Sequence, residues 1–524
     1  MGAPMKTPAA LSLIILACLA GFFYFQGLDH WYLWQDEANS ALLSKNILTW
    51  GYPFVFDGKN AIWPSISDVS STHHYWVLWG WLPLYVQALS FKIFGVSTFS
   101  ARFPSALMGW AFAVGVFLFA RIRKCSVFQS LLFPMLFIFC IPLTLFFRQC
   151  GYYAFTMVLS GSMYFALFER KEGKGRSLLF FILSTCLVNV HMLIWGVVMG
   201  GLFFASVLEP IRKPFLKLLS GAALLALPFL FLYEAWTLFG VYGSESSGDA
   251  TSAYWKRLCF FEENLCLVFF PKWFLMLFGF CAVYFWTYFE VPEKKRLKQV
   301  SIFVGTGFLL VPFLSTQFLF FRYVLFTIPF FLFAICVIQW RIWKYSKIWG
   351  SVLGAALAFN NGVGYQVPAP PQEPFLQSFY FFYELTHDGE DLNEVLCQFL
   401  NKNAKPKDTV FCSYGEFPIQ FYTDLLVRGG AGHIGISSEK TFPEKGISKV
   451  DSPDWIVDRT YWDWMYPKNA IDAYLKQNLY EKIILPVEET AWGNRPFLPF
   501  HFFATPMVMR PLVIYRKKQT PRTP

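Results

Sequence analysis

Two adjacent carboxylates, Asp36 and Glu37, stand in the stretch HWYLWQDEANSALLSKNILTWGYP, just after a first long apolar run. A carboxylate at a membrane edge can take the proton of an acceptor hydroxyl as a general base, or ligate a divalent cation. On position alone, a solvated loop pair competes with both uses. The residues that follow favour chemistry. Ala38, Ala41, Leu42, Lys45, Ile47 and Leu48 recur at helical spacing, so the pair opens an amphipathic helix. An Asp at that helix start is expected to face the cleft between loop and membrane. Adjacent residues on a helix point about 100° apart, so Glu37 should not share the target of Asp36. One base and no second nucleophilic carboxylate suit a single displacement with inversion. The sequence holds no Walker loop, GxSxG, HExxH or Cys/His cluster, and hence no sign of nucleotide chemistry.

The elements that must carry this pair follow from composition. Of 524 residues, 55% are hydrophobic, 20% aromatic and only 15% charged, with 62 Phe. A soluble chain could not bury that much apolar surface, so the expectation is a polytopic α-helical membrane protein. Disorder, collagen and coiled coil are excluded by the same numbers. The formal net charge of +10 reads as cytoplasmic loop charge rather than a nucleic-acid footprint, because no nucleic-acid-binding motif accompanies it. The 11 cysteines form no CxxC pair. Only Cys397 and Cys412 lie outside the apolar region, where a bridge between them is one option.

The first apolar run, 9–27, is long for a cleaved leader and reads as a retained signal anchor. Further runs cover 103–120, 127–146, 153–168, 177–190, 192–208, 214–233, 264–289, 299–318, 323–339 and 347–363. Basic clusters at Arg121/Arg123/Lys124, Arg170/Lys171/Lys174/Arg176, Arg212/Lys213/Lys217, Lys294/Lys295/Arg296/Lys298 and Arg341/Lys344/Lys347 all fall on one side if about eleven runs span, with the amino terminus cytoplasmic. The Trp-rich stretch 76–94 breaks that alternation if it crosses, so it is expected to lie along the outer interface. The first outer loop is then 28–102. Residues 1–365 form the membrane domain. Beyond the linker VPAPPQEP, residues 366–524 read as a small extracytoplasmic α/β domain, with strands expected at 408–415, 454–459, 481–485 and 511–517 and helices at 390–403 and 470–479.

Four stretches in this order resemble a known family. They are W-x-DE-x-x-x-A-x-x-x-x-N-I-L-x-x-G-x-P after the first run, PLYVQALSFKIFGVSTFSARFPSALMG at 83–109, FFRQCGYYAF at 146–155 and FRYVLFTIPFFLFA at 321–334. Together they resemble the GT-C type glycosyltransferases of family 39, the protein O-mannosyltransferases and lipid A aminoarabinose transferases, over about residues 1–340. The resemblance implies an inverting transfer of a sugar from a polyprenyl-phosphate donor to an acceptor hydroxyl or phosphate of a protein, lipid or envelope glycan at the outer face of a multi-pass bacterial inner or plasma membrane protein. Carried over by position, Asp36 matches the catalytic loop acid and Glu37 its neighbour. Arg148, Tyr153, Arg322 and Tyr323 match positions facing the outer cavity. The chain departs from the family at Leu82-Pro83, where Pro-Pro is usual, and at Gln149, where an acid is often found. Family members differ in metal use, so a divalent metal is possible and no other cofactor is implied.

A lipid-phosphate sugar gains a second negative charge on its phosphate as the glycosidic bond breaks, so fixed cations at outer span ends lower that barrier. Arg148 and Arg322 fall there; an interfacial Arg snorkelling to water is the competing use. His191 reads equally as a packing histidine or a phosphate contact. His73 and His74 read equally as loop residues or binding residues. Arg102, at the start of a run, reads as a headgroup anchor. The rival reading of the whole chain is a polytopic lipid-linked-sugar transporter or flippase, which calls for repeated halves and midplane charges; neither appears in this sequence. Reporter fusions at positions 123 and 520 are expected to give opposite sidedness signals, and a fusion at 97 to report outside; equal signals at 123 and 520 would overturn the topology.

Overall fold

The computed structural model describes residues 7–62, 75–77, 79–168, 173–207, 212–233, 250–314, 321–357, 365–366, 375–388, 391–412, 415–429, 453–459, 471–472, 475–476, 479–489 and 510–518. Helix α1 (Thr7–Phe25) packs against α4 (Thr98–Ile122) and α5 (Val127–Phe139). Helices α1, α4, Pro214–Leu232 within α10 (Arg212–Leu232) and the combined segment Phe321–Tyr345 are long and apolar enough to cross a membrane. Most of the other apolar runs fold into shorter helices among the described residues. These include α7 (Tyr153–Phe168), α8 (Lys174–Val188), α9 (Met192–Ser206), α12 (Lys272–Tyr284) and α15 (Lys347–Leu357). The run expected at 264–289 is split between the end of α11 (Ala250–Val268) and α12. Among the described residues, length and composition therefore mark fewer complete spans than the run-by-run reading.

The run expected at 127–146 is broken, and the cause is local. Helix α5 and α6 (Ile141–Phe147) meet at 76°. Pro142 has no N–H to offer the Ile138 carbonyl four residues back, and its ring excludes a straight helix. The Thr144 hydroxyl donates to that Ile138 carbonyl at 2.7 Å instead. The break lets α6 end at Arg148, inside the protein rather than at its edge.

The first loop begins with α2 (Gln35–Trp50), which stops at Gly51. Gly51 adopts φ +80°, the left-handed conformation that ends a helix without a Cβ penalty. Helix α3 (Leu82–Phe94) packs along α2. At 13 residues it is roughly 20 Å long, short of the ~30 Å of a bilayer core. The two helices are tied by Ser44 donating to Gln87 at 2.9 Å. They leave Leu48, Trp50, Leu89, Ile93 and Phe94 exposed, an apolar face suited to a membrane interface. The loop is anchored deeper in as well. Gly80 and Leu82 donate to the carbonyls of Val190 and Asn189 at 3.2 and 2.9 Å. A Cβ at Gly80 would stand 2.0 Å from the Asn189 oxygen, so only glycine permits this approach.

After α13 (Val291–Leu314), the 3₁₀ turn Phe321–Thr327, α14 (Ile328–Tyr345) and α15, helices and strands mix in the remaining part of the chain. It contains the antiparallel pair β1 (Tyr365–Gln366) and β2 (Phe375–Leu376), then α16 (Gln377–Thr386), whose Phe381 and Leu385 pack into the core of the membrane helices, and then α17 (Leu392–Asn403), β3 (Thr409–Cys412), α18 (Glu416–Tyr422), β4 (Leu426–Gly429), β5 (Trp455–Asp458), β6 (Tyr480–Glu489) and β7 (Arg510–Lys517). Strands β3 to β7 make one sheet in the order β4-β3-β5-β7-β6. Strand β3 runs parallel to β4 and β5, while β7 is antiparallel to β5 and β6. Leu396, Leu400, Val410, Ile419, Trp455 and Ile514 fill its core. Strand β4, LVRG, is too short and too plain to be seen in the sequence. Helix α17 starts where Asp391 accepts from the N–H groups of Asn393 and Glu394 at 2.7 and 3.4 Å, a side-chain N-cap. Of the helix expected at 470–479, 471–472 and 475–476 are described and helical, and 479 is described but not helical. Cys397 and Cys412 are both buried and neither forms a disulfide, so no bridge joins them.

Candidate active site

The site is organised by the first turn of α2. No hydroxyl or amide cap precedes this helix, because Trp34 stands at its N-cap position. Glu37, in the third helical position, reaches back to accept from the Trp34 N–H at 3.4 Å. Its main bonds are stronger. One carboxylate oxygen accepts from Arg102 Nε at 2.8 Å and from the Cys150 N–H at 2.7 Å, and the other from the second Arg102 terminal nitrogen at 2.6 Å. Arg102 spends its remaining donors on the carbonyls of Leu28, Trp31 and Tyr32 at 3.0, 2.8 and 3.2 Å. Both side chains are 1% exposed. Glu37 was expected as a catalytic residue and Arg102 as a headgroup anchor. The structure corrects both. They form a buried, bidentate strut joining the first loop to α4 and to the turn before α7, out of reach of a substrate.

Asp36 points elsewhere, as the helical step requires. Its carboxylate pairs with the Arg322 guanidinium, with 28% of the Asp36 side chain and 12% of that of Arg322 exposed. Arg322 also donates to the Tyr153 hydroxyl at 3.0 Å and lies 5.8 Å from the Tyr153 ring centre. Tyr153 opens α7, and Arg322 and Tyr323 sit in the 3₁₀ turn before α14. Tyr152 lies 4.5 Å from Tyr153 and 4.7 Å from the His191 ring, which is in turn 6.2 Å from Tyr323. Asp36, Tyr153, His191 and the adjacent pair Arg322 and Tyr323 are thus brought together from four places in the chain. The sequence reading missed Tyr152; its only signal was that it adjoins Tyr153.

His191 caps α9, its Nδ1 accepting from the Ile194 N–H at 3.5 Å. Burial, and then the Arg322 charge, push its imidazole down to about 3. It is neutral at any working pH and can serve the site as a polar wall but not as a cation.

Arg148 is not in this cluster, and this too is a correction. It is fully buried, and its guanidinium donates to the carbonyls of Phe23, Tyr24 and Gly27 at 3.0, 3.2 and 2.9 Å. Those carbonyls close the end of α1, where a helix leaves acceptors unpaired and favours a positive charge. Arg148 therefore holds α1 rather than a ligand. His73 and His74 lie outside the described residues. Among the described residues no group of three or more His, Cys, Asp or Glu stands together as a metal site. The Asp36 carboxylate faces a guanidinium, so the described donor set does not fit a divalent cation.

The chain's fold is shared with ArnT from Cupriavidus metallidurans bound to undecaprenyl phosphate, at TM-score 0.60 and 13% identity over 98% of each chain. The apo state of that protein matches equally, at 0.60 and 13%, over 97% of this chain and 98% of the other. An Archaeoglobus fulgidus oligosaccharyltransferase, tethered to an acceptor peptide containing the NVT sequon, matches at 0.52 and 11% over 86% of this chain and 69% of that one. The chain has the GT-C fold. No family model and no curated protein matches the sequence. The apolar helices together with the GT-C architecture make this an integral membrane protein. In GT-C terms, the Glu37–Arg102 strut fixes the first loop on the helical bundle and leaves Asp36 on its accessible side.

Removing one partner of the strut leaves the other charge buried and unpaired, which costs about 3–5 kcal/mol. Glu37→Gln and Arg102→Ala are therefore expected to lower the thermal midpoint in detergent sharply, while Asp36→Asn changes it little. An unchanged midpoint in Glu37→Gln would show that the strut is not structural.

Proposed function

We propose that this GT-C protein is an inverting glycosyltransferase that moves a sugar from a polyprenyl-phosphate donor to an acceptor hydroxyl or phosphate on a protein, lipid or envelope glycan. The observation that carries the reading is the pairing of Asp36 with Arg322 at a partly open point, walled by Tyr153, Tyr323 and His191, in a GT-C fold. ArnT with undecaprenyl phosphate, which shares the fold, supports a polyprenyl-phosphate partner. The five basic clusters support an amino terminus in the cytoplasm, about eleven spans, a catalytic membrane domain over 1–365 and an outer domain over 366–524.

The two charges would work in sequence. The donor is a phosphodiester bearing one negative charge. When its phosphate meets Arg322, the guanidinium exchanges its bond to Asp36 for bidentate bonds to phosphate. Asp36 is then free to accept a proton. The acceptor oxygen attacks the anomeric carbon, its O–H bond breaking toward the Asp36 carboxylate. The bond between that carbon and the phosphate oxygen breaks on the opposite face, and both electrons leave with the lipid phosphate. Arg322 faces the charge that this phosphate gains, and the neutral His191 and the tyrosines offer dipoles without a competing cation. Retention would need a second carboxylate as nucleophile, and Glu37 is sealed by Arg102 and the Cys150 N–H.

Asp36→Asn keeps the shape and removes the base, so turnover should fall at least about 10²-fold with donor binding retained. The product is expected to have inverted anomeric configuration; near-normal turnover or a retained product would overturn the mechanism. Arg322→Ala should weaken donor affinity and turnover by roughly 10- to 100-fold, the worth of a hydrogen bond to a charged group. Arg322→Lys should recover little, because an ammonium cannot grip phosphate with a planar fork. Normal donor affinity in Arg322→Ala, measured by titration of a polyprenyl phosphate, would remove Arg322 from the site.

A further inference from the structure

The tryptophans at the start of the stretch 76–94 turn partly inward. Trp76 is fully buried, and Trp79 packs against both the core of the helical bundle and the core beneath α2. The turn that carries them is pinned beside the site. Gly80 and Leu82 donate to the carbonyls of Val190 and Asn189, the two residues before His191, at 3.2 and 2.9 Å. The Trp81 indole donates to the Trp76 carbonyl at 2.7 Å and closes the turn around Trp79. The Tyr233 hydroxyl accepts from the Trp81 N–H at 3.3 Å and donates to the Asn189 side-chain oxygen at 2.7 Å, so one hydroxyl ties both segments together.

Trp79 is thereby fixed as a partly exposed ring. Its centre lies 4.5 Å from that of Trp76, edge to face, and 6.0 Å from that of Tyr152, tilted by 47°. Tyr152 in turn lies 4.7 Å from His191 and 4.5 Å from Tyr153. Tyr153 is the ring whose hydroxyl meets Arg322. Two ring contacts therefore separate Trp79 from the ring that faces the Asp36–Arg322 pair. Among the described residues neither the Trp79 indole N–H nor the Tyr152 hydroxyl has a hydrogen-bond partner, and neither atom is sealed from solvent. A donor that the fold leaves unused and open is available to a ligand.

The chemistry of the two side chains selects among the parts of a lipid-linked sugar. An isoprenoid tail would use the rings and leave both donors unmet. A phosphate calls for cations, and neither Trp79 nor Tyr152 is one. A sugar ring has an apolar face of C–H groups and an edge of hydroxyls, the combination that an open indole and a phenol offer together. We propose that Trp79 and Tyr152 form the subsite for the sugar ring of the donor: the Trp79 indole seats one apolar face of the ring, and the Tyr152 hydroxyl bonds a hydroxyl at its edge. The proposal rests on the glycosyltransferase reading and extends it from the phosphate, held by Arg322, to the sugar that the phosphate carries. The turn at Gly80 then has a use: it fixes the indole against the 189–191 segment, so the platform is in place before the donor arrives.

The test titrates the full chain in detergent with two probes. One is polyprenyl phosphate; the other is polyprenyl phosphate bearing a sugar, taken as the tightest binder from a panel of hexoses, pentoses and amino sugars. Trp79→Ala should weaken the sugar-bearing lipid about 10- to 100-fold, the contribution of one buried aromatic face, and leave the bare lipid within about twofold. Trp79→Phe, which keeps an aromatic face, should retain most of that affinity. Tyr152→Phe should weaken the sugar-bearing lipid alone, by about 2- to 10-fold for one neutral hydrogen bond. Arg322→Ala, by contrast, should weaken both lipids alike. Equal losses for the two lipids in Trp79→Ala, or no loss for either, would overturn the subsite and leave the transferase reading standing. A wild type that binds the bare lipid and no sugar-bearing lipid more tightly would do the same. Should Trp79→Ala fail to fold, Tyr152→Phe decides: a loss confined to the sugar-bearing lipid supports the subsite, and any other pattern overturns it. A wild type that binds neither lipid would defeat the transferase reading, and the subsite with it.

Discussion

A carboxylate and a guanidinium at 1% exposure are costly to bury, and everything at the site depends on how that cost is met. Desolvating one such ion costs several kcal/mol after relaxation, and the mutual attraction offsets it only with near-ideal geometry and no lone pair left over. Glu37 and Arg102 meet both conditions. The pair is bidentate, the Cys150 N–H takes one further lone pair, and three carbonyls take the remaining guanidinium donors. Such a pair adds little net stability over an apolar replacement. Its effect is geometric, because the first loop, α4 and the turn before α7 can satisfy these charges in only one arrangement. Asp36 inherits its direction from that arrangement, about 100° round the helix from Glu37.

The same logic applies wherever the backbone is irregular inside the bundle. Carbonyls without partners in apolar surroundings need a donor from the protein. Arg148 supplies three bonds to the end of α1, and Thr144 supplies one at the Pro142 break. That break is what brings Arg148 inward. An arginine that a linear reading assigns to the outer surface is instead consumed by the fold. Arg322 differs because it enters from a 3₁₀ turn beside the open end of α7, where its described partners include two side chains, Asp36 and Tyr153. A bond to a carboxylate that is itself partly exposed can be exchanged for a bond to phosphate.

The carboxyl-terminal sheet and its helices are more than an appendage in this arrangement. Asp391, Asn393, Phe417 and Tyr422 all bond to the three residues before Gln35 or to Gln35 itself. Asn60 adds a second tie, donating to the Leu425 carbonyl at 3.1 Å and accepting from the Val427 N–H at 2.8 Å at the edge of β4. The loop that carries Asp36 is thus clamped on one side by the membrane helices and on the other by the helices and strands of the sheet. Slack in either clamp shifts Asp36, and under the proposed transfer a shift of an ångström there would cost orders of magnitude in rate.

Composition alone made this a helical membrane protein, since no soluble fold hides 55% hydrophobic residues with 62 Phe. Local pattern was enough for the α2 helix headed by Asp36, and for strands β3, β5, β6 and β7, whose apolar β-branched runs are bounded by polar turns. The expectation that Asp36 and Glu37 face different ways followed from helix geometry, and their surroundings obey it. Which arginine meets which carboxylate was not legible. Arg102, Arg148 and Arg322 look alike in sequence, each at the end of an apolar run. Their fates diverge because burial and partner supply are properties of the packed bundle: one meets Glu37, one meets the end of α1, and one is left facing Asp36. The bond from the Phe417 N–H to the Gln35 side chain was equally hidden, because it joins positions 382 residues apart in sequence, and only tertiary packing can bring such groups within hydrogen-bond reach.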